Sequence, residues 1–407
     1  MVKIIRYIFC LTAWTLLTVP VCGKTNHKQV RADIDKAKTY IKSGKDFDKA
    51  EKLMVALLND SANHDNIKIY TTWYESVLGQ YNAANEKLYL KQKYDTAAFY
   101  NLTRHLQEVA VELDALDVRP DKKGRVRPSH RAENAALLNP LRINIYYGGT
   151  WNVRKGDYEK GYTFFNDYLE AAHLPLFEAY HYEQKDSLLP TAAYWATLCG
   201  YRMQDAERTL KYSKLALKDS AKATFTLQYM CEAYQWQKND SAYIQTLAEG
   251  YERYPEYPYF FPRLADHYSS LGKYDKVLEL ASRGLDITPD NPLFLVAKSV
   301  AQLNLEQYDD CIETSRALME LNDSMPEPYF NIATCYLNQA LTIEQEHEPR
   351  KNRLRLQKLY FQARPFMEDY RRLAPDDQQR WAPALYRIYL NLNLGKQFEE
   401  IDKLMRK

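Results

Sequence analysis

Glycine is scarce in this chain, with 13 residues in 407. That leaves little room for flexible linkers, and no glycine-rich loop of the kind that cradles phosphates is present. Cysteine is thin as well. Beyond the first two dozen residues only Cys199, Cys231, Cys311 and Cys335 remain, far apart and without a CxxC pair. That spacing indicates neither a disulfide framework nor a zinc ribbon. Each falls inside a helical pattern, where a buried thiol is the expected state. Charge of one sign is missing too: 55 Lys and Arg stand against 53 Asp and Glu. A balanced surface generates no global field for nucleic acid. Neither a G-x-S-x-G elbow nor an H-E-x-x-H pair occurs, so no catalytic residues, metal or cofactor are expected. His173 and His181, with Glu178 and Glu183, sit near one another in sequence but match no common ligand spacing.

Long apolar runs are confined to the start, "MVKIIRYIFCLTAWTLLTVPVCGK". Lys3 and Arg6 form a positive stretch, Tyr7 to Val19 an apolar one, and Val21 and Gly23 are small enough to flank a cleavage site. The apolar run is shorter than the roughly 20 residues that span a membrane. The chain is therefore expected to be exported to the periplasm or cell envelope, residues 1–23 being removed and the mature chain soluble. Lipid anchoring through Cys22 is the alternative, although Val21 stands where a lipobox carries Gly, Ala or Ser.

What the sequence does contain is periodicity. Tyrosine is abundant, at 34 residues, and a ring with a polar tip suits a half-buried helix face. Stepping 34 residues from Ala265 reaches Cys231, Ser299 and Ala333, a small side chain each time. Four positions earlier stand Leu227, Phe261, Leu295 and Tyr329. Five units begin at Pro190, Thr224, Pro258, Pro292 and Pro326 in one register. Within a unit, Phe261, Leu264, Ala265 and Tyr268 form one helical stripe, and Val277, Leu280, Ala281 and Leu285 a second. "GKY" between them allows only a tight helix–helix turn. "TPDNP" at the end of the unit is a stop followed by a start. Helices this short are not stable alone, so each pair must bury its stripes against the next.

This pattern resembles the tetratricopeptide repeat family, whose unit is a helical hairpin of about 34 residues. The resemblance is strongest over 190–338. It extends through "GDYEKGYTFF" (Tyr158, Gly161, Phe165), "GKDFDKAEKL" (Phe47, Ala50), "QKYDTAAF" (Tyr94, Ala97) and "GKQFEEIDKLM" (Phe398, Ile401). It implies an all-α, right-handed solenoid of about eight or nine hairpins. The expected organisation after the leader is N-terminal hairpins over 24–118, a basic loop at 119–131, and a hairpin with a spacer over 132–189. The regular array follows over 190–338, then an extended helical arm with a second helix over 339–377, the first helix continuing past Asn338 and the second resuming near Ala363, and a capping hairpin over 378–407. The loop carries Arg119, Lys122, Lys123, Arg125, Arg127 and Arg131 against Asp121 alone, a candidate for anionic partners and otherwise a solvated turn.

In that family the first helices line the concave face that holds ligand. Carried over position by position, the candidate binding residues are Tyr146, Tyr194, Gln228, Glu232, Asp266 and Phe330. Tyr201, Arg202, Trp236 and Asn338 sit near the ends of the same helices. The inner positions lack the Lys, Asn and Arg of a carboxylate clamp, which disfavours an adaptor for chaperone tails. The reading is a non-catalytic scaffold for a protein or peptide partner in a bacterial envelope. A glycan-binding module is the alternative, and an enzyme built from the non-repeat segments is a further one. Finally, Asp-Ser/Thr-apolar tripeptides recur at Ser61, Thr96, Ser187, Ser220, Ser241 and Ser324. They resemble an O-glycosylation sequon of some Gram-negative bacteria, but Asp and Ser also suit helix starts at repeat junctions. Thr96, read as lying inside a helical run, fits that second account poorly.

Overall fold

The computed structural model describes residues 27–346 and 349–406, so the leader and Cys22 lie outside the described residues. Every regular element among the described residues is helical. The chain divides into two compact units: one holds residues up to Lys155 with Thr163–Asp186, the other Gly156–Tyr162 with everything from Ser187 on.

The first unit contains α1 (His27–Ser43), α2 (Phe47–Leu58), α3 (Ile67–Tyr89), α4 (Thr96–Asp117), α5 (Arg131–Leu138) and α6 (Arg142–Arg154). Helix α7 (Tyr158–Glu170) begins outside this unit and ends within it, and α8 (Tyr182–Lys185) follows. Its core gathers Met54, Ile69, Val77, Leu106, Leu113 and Phe177. The expected spacer at 170–189 is not a loose connection. It folds into short helical turns whose Leu176, Phe177 and Tyr182 join that core. Arg142 holds this segment in place. Its guanidinium is only 5% exposed and lies between the rings of Tyr168 and Tyr182, 3.7 and 4.1 Å from their centroids. It also pairs with Asp186 and donates to the Tyr168 carbonyl at 2.9 Å.

The second unit holds the regular repeats. Their first helices are α9 (Leu189–Arg202), α12 (Ala223–Trp236), α14 (Phe260–Ser270), α16 (Pro292–Asn304) and α18 (Pro326–Gln345). The second helices are α10 (Ala206–Lys211) continued by α11 (Ser213–Ala216), then α13 (Asp240–Arg253), α15 (Tyr274–Ile287), α17 (Tyr308–Leu321) and α19 (Pro349–Leu373). A last pair, α20 (Gln378–Asn391) and α21 (Gly395–Met405), completes the unit. The small residues Cys231, Ser299 and Ala333 are fully buried and Ala265 nearly so, as close helix approach requires. The 34-residue register thus reappears as equivalent positions in consecutive hairpins.

The turns repeat as well. Gln204, Lys238, Gly272 and Glu306 all take positive φ, from 55° to 67°. The next residue in each case donates its N–H to the carbonyl five positions back, Asp205 to Gly200, Asn239 to Tyr234, Lys273 to Tyr268 and Gln307 to Gln302. This is the Schellman closure, which satisfies the orphan carbonyls of a helix end. Asp205 and Asn239 then cap the helices that follow with their side chains, and Asn291 caps α16 at the junction between two repeats. Between repeats, rings fill glycine notches. A Cβ on Gly250 would sit 2.4 Å from the Phe260 ring, and one on Gly284 2.8 Å from Phe294. These two pairs are again 34 residues apart.

Two expectations are revised. The insertion after Asn338 is shared by both helices of one hairpin rather than prolonging the first helix alone. Helix α18 ends at Gln345, and Pro349 opens α19, a favoured use of proline at a helix start. Tyr360 on α19 donates to Glu344 on α18 at 2.7 Å, closing the pair. Arg131 belongs to α5 rather than to the basic loop, and pairs with Asp114 at 2.7 Å.

Candidate interaction surface

Most of the expected binding residues fall in the second unit, on its first helices. The geometry sorts them into two groups. Tyr194, Tyr201 and Trp236 join Tyr229 in a row of rings spanning α9 and α12. Tyr201 stacks on Tyr229 at 4.3 Å and on Trp236 at 5.9 Å, each with an interplanar angle of 21°. Tyr194 lies 6.3 Å beyond Tyr229 and is buried. Burial foremost, then the neighbouring Tyr194, push the Tyr229 hydroxyl up against the opposing charge of Arg202. A ring held on both faces has no face left for a ligand. Trp236 is the exception, 36% exposed at the outer end of the row.

Other candidates are engaged from the next repeat. Gln228 accepts from the Tyr257 hydroxyl at 2.6 Å, and Glu232 from Tyr259 at 2.8 Å. Burial, reinforced by that bond to Glu232, drives the Tyr259 hydroxyl far up, so the phenol stays protonated and donating. Arg263 covers the other side of Tyr259, 3.7 Å from the ring centroid. Phe330 lies under Arg380 at 3.8 Å and beside Tyr370 at 5.0 Å. The Asn338 side chain is half-buried and bonded to Tyr308. Arg202 and Asp266 remain exposed. The open part of this face is therefore Trp236 with Arg202 and Asp266, on three consecutive first helices. Tyr146 belongs to the first unit, half-buried against Phe165 and Tyr168 at 5.7 Å each. Tyr229 went unnoticed in the sequence. The signal was there, since Tyr194 and Tyr201 are seven apart and Tyr229 and Trp236 repeat that step 35 residues later.

A polar cluster in the first unit left no sequence signal. His105 on α4 contacts Glu51 on α2 at 2.7 Å and Glu108 at 3.5 Å. Glu51 also accepts from Gln80 at 2.5 Å and Trp73 at 3.5 Å, both on α3. The bonds to Glu108 and Glu51 raise the imidazole to about 9. Burial works against both carboxylates, yet the bonds from His105 and the other donors hold them below their usual value. Three helices are clamped by this charged group.

The remaining candidates are surface features. In the basic loop Arg119 pairs with Asp65, and Arg125 with Asp121 at 2.7 Å. Lys122, Lys123 and Arg127 are exposed. His173 pairs with Glu183 at 2.7 Å, and among the described residues no group of three metal-capable side chains clusters. All six hydroxyl residues of the Asp-Ser/Thr tripeptides are exposed. Thr96 does not lie inside a helix; it is the first residue of α4, whose start Asp95 caps by accepting from the Ala97 and Ala98 N–H groups. No helix among the described residues is long and apolar enough to cross a membrane.

No family model and no curated protein matches the chain. Among solved structures it is similar to the C-terminal part of a TPR repeat-containing protein from Cytophaga hutchinsonii, at 14% identity over 63% of this chain and 93% of that one, TM-score 0.42. It is similar to yeast Tom70 at 12% identity over 93% and 91%, TM-score 0.32. The TPR2AB domain of yeast Sti1, in complex with pHSP90, matches at 13% identity over 76% and 96%, TM-score 0.26. The hairpins recurring every 34 residues, their common turn and their buried small residues give this chain an all-α fold of tetratricopeptide type.

Proposed function

We propose that this protein is a non-catalytic scaffold in a bacterial cell envelope, holding an extended segment of a protein partner along the first helices of its second unit. One observation carries the reading: the Trp236 ring stands half-exposed at the end of a braced aromatic row. A rigid ring with a free face is the kind of anchor that dominates peptide recognition. Exposed Arg202 and Asp266 supply opposite charges on the flanking helices, suited to orienting a polar backbone. The envelope setting rests on the character of residues 1–23.

A photoreactive side chain placed at Gln235 or Gln237, both exposed beside Trp236, tests this in the native envelope. Crosslinks to another protein that disappear in Trp236→Ala and Arg202→Glu are expected. Crosslinks only between copies of this chain would remove the scaffold reading. Retardation of the wild type, but not of Trp236→Ala, in gels cast with polysaccharide would favour glycan binding instead, since a free indole face also stacks on sugars. Intact mass of the exported protein reads its N-terminus: free Lys24 is expected, and an acylated Cys22 would establish anchoring.

A further inference from the structure

The long hairpin of α18 and α19 presents a second surface, away from the aromatic row in sequence and different in chemistry. Between Lys351 and Arg364 helix α19 carries five basic residues and no acidic one. Its inner face is fully used: Asn352, Tyr360 and Ala363 are buried, and Tyr360 is bonded to both Glu344 and Arg387. The outer face carries two large apolar side chains without cover, Leu354 at 79% and Phe361 at 68% exposed. They are one heptad apart, about 10.5 Å along the axis, and therefore point the same way. Lys351 and Lys358, also a heptad apart, border them on the same side and are exposed. Pro365 ends the stripe one turn later.

The geometry points to a docking seam for an acidic amphipathic helix of a partner protein. The partner would set apolar residues against Leu354 and Phe361, and Glu or Asp against Lys351 and Lys358. This is the division of labour in a helix–helix seam, where the apolar spine supplies adhesion and the flanking charges choose the partner. Arg355 already faces Glu346 at 3.7 Å and Arg364 pairs with Glu368 at 2.9 Å, so the charge argument centres on Lys358, where a partner helix carrying Lys or Arg at its flank would meet like charge. An anionic lipid surface is the poorer fit. A helix that lies in a membrane interface needs a broad apolar face, and here the broad face is turned inward against α18.

The test uses the full mature chain and a fluorescent 21-residue helical peptide with Leu along one face and Glu on its flanks. Saturable binding is expected, weakened by added salt and at least tenfold weaker for Leu354→Ser with Phe361→Ser. Lys358→Glu with Lys351→Glu should lose the acidic peptide and gain one whose Glu residues are replaced by Lys. These side chains are exposed, so circular dichroism and melting temperature of the variants should match the wild type. Four results would overturn the proposal. They are no peptide binding, equal binding of polyglutamate by wild type and the Ser variant, co-sedimentation with phosphatidylglycerol vesicles in place of peptide binding, or self-association in sedimentation velocity that the Ser variant abolishes.

Discussion

His105 is held charged past neutrality, and this makes the first unit sensitive to pH in a defined direction. A group whose value rises from 6.5 to about 9 on folding contributes stability that is fully present below 6.5 and lost as pH rises through 9. Glu51 and Glu108, lowered from 4.5, contribute above that value and lose their contribution as acid protonates them. Urea midpoints should fall from pH 7 to 9 in the wild type, and His105→Gln should flatten that decline. An unchanged slope would remove the clamp from the account. Arg142 makes a harsher case. Arg142→Ala leaves Asp186 facing a buried vacancy, and breaking a buried pair costs about 3–5 kcal/mol, so a large drop in the melting temperature is expected. Neither site was legible in the sequence. Glu51, Trp73, Gln80 and His105 come from three helices, and only the packing of those helices gives them a common location.

At the level of the helix and its turn, the recurrent positive φ has a measurable price for the residues that bear it. A side chain in the left-handed region is disfavoured by roughly 1–2 kcal/mol, and glycine is not. Glu306→Gly and Gln204→Gly should raise the chemical-denaturation midpoint modestly, because relief of strain exceeds the added chain entropy. Gly272→Ala should lower it, and the opposite signs would contradict the turn assignment. Gly250→Ala would drive a methyl group into the Phe260 ring, and overpacking of that kind costs about 1–3 kcal/mol. The hairpins themselves were legible because Pro, Asp and Asn mark their boundaries at fixed intervals. The division of the long insertion was not. Glutamine and glutamate around residue 345 suit a helix interior as well as its end, so Pro349 alone signalled the break. Thr96 was misplaced for the related reason that Asp95 is an ordinary acidic residue until its side chain is seen capping α4.

The second unit follows the logic of stacked repeats, in which each hairpin is supported chiefly by those adjoining it. Trp381 in α20 is buried and bonded to the Pro375 carbonyl at 3.2 Å, tying the last hairpin to its predecessor. Trp381→Ala should raise hydrogen exchange most in α19 to α21, less in α16 and α17, and scarcely at all in α12 and α13. Uniform loss of protection throughout the second unit would mean that it unfolds as one cooperative block. The sequence revealed the array but not the division into two units, because that division reflects how densely distant segments touch, which residue types do not announce.

The four cysteines give this gradient an intrinsic gauge. Cys199, Cys231 and the hydrogen-bonded pair Cys311 and Cys335 are fully buried at three stations along the second unit, and burial pushes the Cys199 thiol up to about 12. An alkylating reagent can reach such a group only when its neighbourhood opens. Peptide mapping after timed exposure to iodoacetamide would therefore rank the three stations by their frequency of breathing, without a single engineered label.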